Sequence, residues 1–258
     1  NYDVSSLDMN IPKNVNYIDP SVFYGCKKVA SLIYDEGCTK TLATGLTSLE
    51  SVSIPNSVTT IESGAFNGCS NLTSVTLPNS VKSIKSYAFA GCTKLSSISI
   101  PQSVTSIESN AWNECDNLSK VEFASLNSLL IINFMGGPSA NPLSRGGGLY
   151  IGGKYIKSIS LPEGLKSIPW YTFAGCGSLE TVKIPSGVTS IGKFAFYNCR
   201  NLRDVKIPNS VTNVEDYAFS YCYSLLDFTV PNSVTTVGKY AFAEVYRLTS
   251  VSCNMTSV

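Results

Sequence analysis

The chain has 258 residues, no histidine, and 19 basic residues against 18 acidic ones, a net charge of +1. That balance excludes a surface built to track nucleic-acid phosphates, which needs clustered Lys and Arg. The missing histidine excludes Ser-His-Asp, Cys-His and histidine-ligated metal sites. Hydrophobic residues make up 43% of the chain, enough for a packed core, but charged residues only 14%, so Ser and Thr carry the polar surface.

Residues 1–10, NYDVSSLDMN, have neither a basic start nor an apolar stretch, so no signal peptide is visible. No run of 18 apolar residues follows that would span a membrane. Ile11-Pro12, Phe23 and Cys26 then form the first unit of a pattern, and Tyr34 to Ser53 holds a shortened unit that lacks the Phe. From there an apolar-Pro pair returns every 23 residues, at Ile54-Pro55, Leu77-Pro78 and Ile100-Pro101. After an interruption it resumes at Leu161-Pro162, Ile184-Pro185, Ile207-Pro208 and Val230-Pro231. Phe66, Phe89 and Trp112 keep the same step, as do Phe173, Phe196, Phe219 and Phe242. So do Cys69, Cys92 and Cys115, and Cys176, Cys199 and Cys222. Leu248, Val251 and Cys253 begin another unit that stops at Val258, which suggests a natural chain extending further.

A fixed period of this length marks a solenoid, and Leu72-x-x-Val75-x-Leu77 is the spacing of leucine-rich repeats. Val75 and Leu77 share one face of a strand, and Pro78 ends it because it has no N–H for the ladder. Val81-x-x-Ile84 gives a second apolar pair on the opposite side of the coil. "KSYAFAGC" supplies a turn or a single helical turn that carries Phe89 inward. The predicted fold is a right-handed leucine-rich-repeat solenoid of 23-residue coils. A parallel β-sheet lines one side, with short strands and turns or single helical turns on the other. Roughly ten coils at about 4.8 Å give a rod on the order of 50 Å long. It is one domain, with repeat blocks at 1–123 and 161–258 and an insertion at 124–160.

Within the insertion, Leu149 to Ile156 reads as a hairpin turning on Gly152-Gly153. The Gly-, Pro- and Ser-rich stretch from Met135 to Gly148 is either a splice between the blocks or a contact site, with Arg145 beside three glycines placed to hold an anion. No nucleotide-binding loop pattern is present.

Nine cysteines cannot all pair within the chain. Their spacing is far from that of zinc sites. The ladder of Cys26, Cys69, Cys92, Cys115, Cys176, Cys199 and Cys222 reads as buried thiols, although rungs one strand apart do not exclude bridges. Cys38 and Cys253 lie off the ladder and are expected to be the reactive ones. Residues between the inward strand positions point outward, and there the halves differ. Thr76, Ser99, Ser74 and Ser97 in the first half give way to charge in the second. Lys157, Glu180, Lys183, Arg203, Asp204, Lys206 and Asp227 form a candidate docking strip, with Glu180 beside Arg203 and Lys183 beside Lys206. Tyr197, Tyr221, Tyr223 and Tyr246 suggest a second strip at the turns. Glu62, Glu108 and Asp116 are the carboxylates an enzyme reading would need, and their positions look solvated. Asn71, Asn117 and Asn254 begin sequons, which matter only in a secreted eukaryotic protein.

"LTSVTLPNSVKSIKSYAFAGCTKL" closely resembles the BspA-like leucine-rich repeats of bacterial surface proteins, and the resemblance covers nearly the whole chain. It implies export, a cell-surface setting and binding to matrix or cell-surface glycoproteins, and it carries over no catalytic residue. The resulting expectation is a monomeric, non-enzymatic protein-binding module without cofactor, nucleic acid or membrane insertion. The alternative is a passive stalk presenting another domain.

Overall fold

The computed structural model describes residues 7–15, 18–19, 21–23, 25–246 and 250–253, without the side chains of 227, 228 and 250–253. Leu248 and Asn254 therefore lie outside it, as do the side chains of Asp227, Val251 and Cys253.

Each coil makes three sides. The first is a strand of three or four residues. Ser74–Thr76, Ser97–Ile100, Lys120–Phe123 and Gly148–Ile151 pair in parallel, with Val75 opposite Ile98, Ile98 opposite Val121, and Val121 opposite Leu149. In the second block Ser158–Ser160, Thr181–Lys183 and Asp204–Lys206 do the same. A β-turn follows the proline: Val81 N–H donates to Pro78 O at 3.1 Å. The serine before that valine ties the coil to its predecessor, Ser80 Oγ donating to Val58 O at 2.6 Å and Ser103 Oγ to Val81 O at 2.7 Å. The second side is a row of two-residue strands, Thr60–Ile61, Ser83–Ile84, Ser106–Ile107 and Asn133–Phe134, and in the second block Ser167–Ile168, Ser190–Ile191, Asn213–Val214 and Thr236–Val237.

The third side is a run of β-turns. Successive N–H groups alternate between the coil itself and its neighbour. Ala65 donates to Glu62 O, Phe66 to Ala88 O, Asn67 to Gly64 O, Gly68 to Ala90 O, and Cys69 to Phe66 O. Two left-handed residues per coil make this possible, Gly64 and Gly68 in one coil. Elsewhere larger residues fill the same columns at positive φ, among them Tyr87, Glu114, Phe194, Tyr217 and Tyr240. Strands alone would pair two sides; these turns extend inter-coil hydrogen bonding to the third.

Inside, the aromatic rings stack coil on coil. Phe66–Phe89 and Phe89–Trp112 have centroids 5.3 and 4.9 Å apart, and the second block repeats this from Phe173 through Phe196 and Phe219 to Phe242. Phe23 is buried as well. The column is interrupted at Ala43, the short coil's occupant, which is fully buried. Nearby Tyr34 is buried, donating its hydroxyl to Leu42 O and accepting from Leu42 N–H, at 2.9 and 3.0 Å. Burial raises its phenol pKa.

The cysteine ladder consists of free thiols. Cys92 and Cys115 donate to Phe66 O and Phe89 O, and Cys199 and Cys222 to Phe173 O and Phe196 O, all at 3.1–3.2 Å. Each thiol thus occupies the carbonyl of the previous coil's aromatic. Cys69 donates to Ala43 O, Cys176 contacts Ser178 Oγ, and Cys26 is half-buried. Burial pushes the thiols of Cys69, Cys115 and Cys222 up to about 12. Cys38 corrects the sequence reading: it is 2% exposed, its thiol faces Ile11 O and Pro12 O, and burial raises its pKa, so it is not a reactive surface thiol.

Residues 124–160 make an altered coil and then a hairpin. A short helix, Leu126–Leu130, starts at a reciprocal Ser125–Ser128 cap. Asn133–Phe134 keeps its place in the second strand row. Two 3₁₀ turns, Pro138–Ala140 and Pro142–Arg145, run where the Ala-Phe turn lies elsewhere, with Ala140 O accepting from Trp112 Nε1 and Asn141 Nδ2 donating to Tyr171 O and Thr172 O. Leu143, within the second of these turns, is fully buried. The chain then returns to Gly148–Ile151, turns on Gly152-Gly153, and pairs antiparallel with Lys154–Tyr155. Glu122 accepts from Gly153 N–H at 2.8 Å and pins the turn.

Candidate functional site

The second block's strand face is built from the outward positions of short parallel strands, so its chemistry follows from register. Lys183 lies opposite Lys206, and Thr181 opposite Asp204. Like charges directly opposite each other repel. Neither lysine has a salt-bridge partner among the described residues, and both are exposed. Glu180 does not pair with Arg203 as its column suggests. It pairs with Lys157 at 3.0 Å, and that hydrogen bond, ahead of the more distant charge of Arg203, lowers its pKa. Arg203 is therefore left without a carboxylate partner among the described residues.

The parallel ladder is interrupted beside these cations, as it also is between Ser51–Ser53 and Ser74–Thr76. It stops at Asp204–Lys206 and resumes between Asp227–Val230 and Ser250–Cys253. In other coils the carbonyl at this corner accepts from the next coil, as Thr73 O does from Ser96 and Glu180 O from Arg203. The equivalent bond from Leu226 to Arg203 does not form among the described residues. A cleft of about 820 Å³ lies here, lined by Arg203, Asp204, Lys206 and Asn232 with Ile207 and Leu226 as apolar walls. It presents cations and an apolar wall together, with the Asp227–Val230 strand still lying beside Asp204–Lys206.

The first block offers a different face. Its outward positions are mostly Ser and Thr, and three of its lysines are paired: Lys120 with Glu122 at 2.9 Å, Lys85 with Glu108 at 2.8 Å, and Lys40 with Glu62 at 3.0 Å. Glu108 has its pKa lowered by Lys85 and by the hydroxyl and N–H of Ser86, the reverse of what a general acid needs.

On the turn side, Tyr197 meets Tyr221 edge-on, Tyr221 meets Tyr223 likewise, and Tyr223 stacks on Tyr246. The sequence reading missed the larger part of this strip. Tyr171, Phe194, Tyr217 and Tyr240 stack in order, with Phe194–Tyr217 centroids 4.6 Å apart. They stand two residues before the inward Phe at the same 23-residue step, a column visible in the sequence. Arg145 lies elsewhere, at the seam between insertion and second block.

The family model for the BspA type leucine rich repeat region matches residues 2–45, 42–134 and 150–258, with six copies. The chain belongs to this family. Among solved structures it is similar to a leucine rich cell surface protein of Faecalibacterium prausnitzii, at 25% identity and TM-score 0.52, covering 95% of this chain and 78% of that one. The fold is also shared with the pneumococcal vaccine antigen PcpA, at 20% identity and TM-score 0.61, covering 96% of this chain and 62% of that one. A leucine-rich repeat protein from Eubacterium ventriosum shares it too, at 20% identity, TM-score 0.51 and 95% and 78% coverage. No curated protein matches the sequence.

Proposed function

We propose that the chain is part of an exported, cell-surface repeat protein that binds other proteins through the strand face of its second block, without catalysis. The observation that carries this reading is the cluster of Lys183, Lys206 and Arg203, without carboxylate partners among the described residues, beside the cleft that Arg203 and Lys206 line. An extended partner segment would lie along this outward strip, as solenoid surfaces allow. Acidic side chains on that segment would answer the cations, and Ile207 and Leu226 would take an apolar one. The cell-surface setting rests on the family and on the printed name of the Faecalibacterium relative. No helix among the described residues is long and apolar enough to cross a membrane.

The test is binding of the purified chain to immobilised matrix and cell-surface glycoproteins, compared with the Lys183→Glu/Lys206→Glu variant. At least a tenfold loss of affinity with an unchanged melting curve is the expected result. Equal binding by both proteins removes the strip from consideration. The spacer reading has its own support in residues 54–123, whose outward face is nearly all hydroxyl. It takes over the whole chain if no surface binds in this assay.

A further inference from the structure

The seam between the insertion and the second block holds a second constellation, independent of the strand face. Ser144, Arg145 and Gly146 come from the second 3₁₀ turn and its left-handed cap, Gly146 at φ +86°. They lie directly on the turn that carries Gly175 and Gly177. A Cβ on Gly175 would overlap the Ser144 backbone, and one on Gly177 would press on Gly146 O at 3.3 Å. These glycines let the two backbones close to contact. On the far side, Gly148 leaves room for the Tyr155 ring, which would overlap any Cβ there. The result is a pocket of about 430 Å³, within the roughly 300–1,000 Å³ range of small-molecule sites.

Two guanidiniums line it, Arg145 from the insertion and Arg200 from the second block, and no carboxylate does. None of the salt bridges among the described residues involves either arginine. Asn198 Oδ1 accepts from Arg200 Nε at 2.9 Å, which orients that guanidinium and leaves its two terminal nitrogens available. Arg145 Nε and Ser144 Oγ are enclosed by protein at the base of this turn, without a hydrogen-bond partner among the described residues. The remaining polar lining is Ser178, Asn198 and Asn201, and Tyr155 adds an aromatic wall.

We propose that this seam pocket binds a tetrahedral oxyanion, sulfate or phosphate, carried as the end group of a small ligand. Two positive charges lining one pocket, one from the insertion and one from the second block, match a dianion, and guanidinium forks suit tetrahedral oxygens. The volume beyond the anion and the Tyr155 ring accommodate the group that bears it. Both walls must be present, so occupancy also ties the insertion to the second block.

Calorimetric titration of the full 258-residue chain, with sulfate, phosphate and acetate against chloride at constant ionic strength, tests this. Saturable binding of sulfate or phosphate, at least tenfold tighter than acetate, is expected. Arg145→Gln and Arg200→Gln should each weaken it at least tenfold. Arg200 is exposed, so its variant reports on the site even if Arg145→Gln perturbs packing. The Lys183→Glu/Lys206→Glu variant should bind the anion as the parent does. A sulfated monosaccharide that binds more tightly than inorganic sulfate marks the end-group source, whereas equal affinity reassigns the pocket to the free ion and overturns that part of the assignment. Responses to sulfate and chloride that cannot be told apart, acetate binding as tightly as sulfate, or unchanged affinity in Arg200→Gln overturns the site itself.

Discussion

The Phe66 and Phe89 rings stack with centroids 5.3 Å apart, and Phe173 and Phe196, on the other side of the insertion, stack at the same 5.3 Å. Cys92 reaches Phe66 O at 3.2 Å, and Cys199 reaches Phe173 O at 3.1 Å. The surfaces part company. Gly64, Tyr87 and Asn110 fill a left-handed column in the first block that holds Tyr171, Phe194, Tyr217 and Tyr240 in the second. Hydroxyls cover one strand face, and cations without carboxylate partners among the described residues mark the other. A repeated interior holds the blocks in one geometry and leaves the exterior free to diverge. Recognition is therefore to be sought where the blocks differ, and stability where they agree.

The largest test of the shared interior is removal of a ring. Phe89→Ala leaves a cavity between Phe66 and Trp112, and Phe196→Ala leaves one between Phe173 and Phe219. Each should cost about 3–5 kcal/mol in denaturant unfolding. A large inequality between the two would mean that the blocks do not share one packing.

Next in size is the alkaline limb. The ladder thiols have folded pKa values pushed up to about 12 by burial, while the unfolded thiols ionise near 8.5–9. The neutral thiol belongs to the folded state, so its contribution is complete below about pH 9 and fades as pH rises toward 12. The slope approaches about 1.4 kcal/mol per thiol per pH unit. Cys115→Ala and Cys222→Ala, one from each block, should flatten stability-versus-pH by that amount above pH 9. Native thiol labelling at pH 8 should spare Cys69, Cys115 and Cys222.

A smaller effect separates the left-handed columns. Glu114 is exposed at φ +59°, where a side chain is strained and glycine is not. Glu114→Gly should stabilise by about 1 kcal/mol in thermal unfolding. Tyr217→Gly relieves the same strain at φ +56° but removes the ring stacked on Phe194 and Tyr240, so it should gain nothing. A stabilised Tyr217→Gly would reduce the outer aromatic ladder to surface decoration.

Much of this was legible because each inward position is locked to one period. Pro78, Phe89, Cys92 and Leu95 announce a strand end, a ring, a thiol and a strand start, and their columns repeat them. Other features leave no periodic trace. Leu143 is buried at the altered turn, but it sits among glycines and prolines and off phase. Arg145 and Arg200 line one pocket only because the insertion folds back onto the second block. The broken ladder after Lys206 has no marker, since Leu225 and Val230 keep the pattern across it. The pairing of Glu180 with Lys157 rather than Arg203 is a rotamer choice between two neighbours in one column, which spacing does not decide.

That cation pair allows the finest test of whether the second block's face serves stability or recognition. Lys183 and Lys206 are in register on adjacent parallel strands and repel each other. Lys206→Glu alone places opposite charges there and should stabilise the fold by roughly 0.2–1 kcal/mol. Lys183→Glu alone should do the same. The double variant restores like charges and should return the melting temperature to that of the parent, so the stability cycle is non-additive. Affinity for a protein partner should follow another course, falling with each lost cation and lowest in the double variant. Opposed trends in stability and binding identify lysines held in place against folding for what they attract. If binding instead tracks the melting temperature, the face contributes only through the fold beneath it.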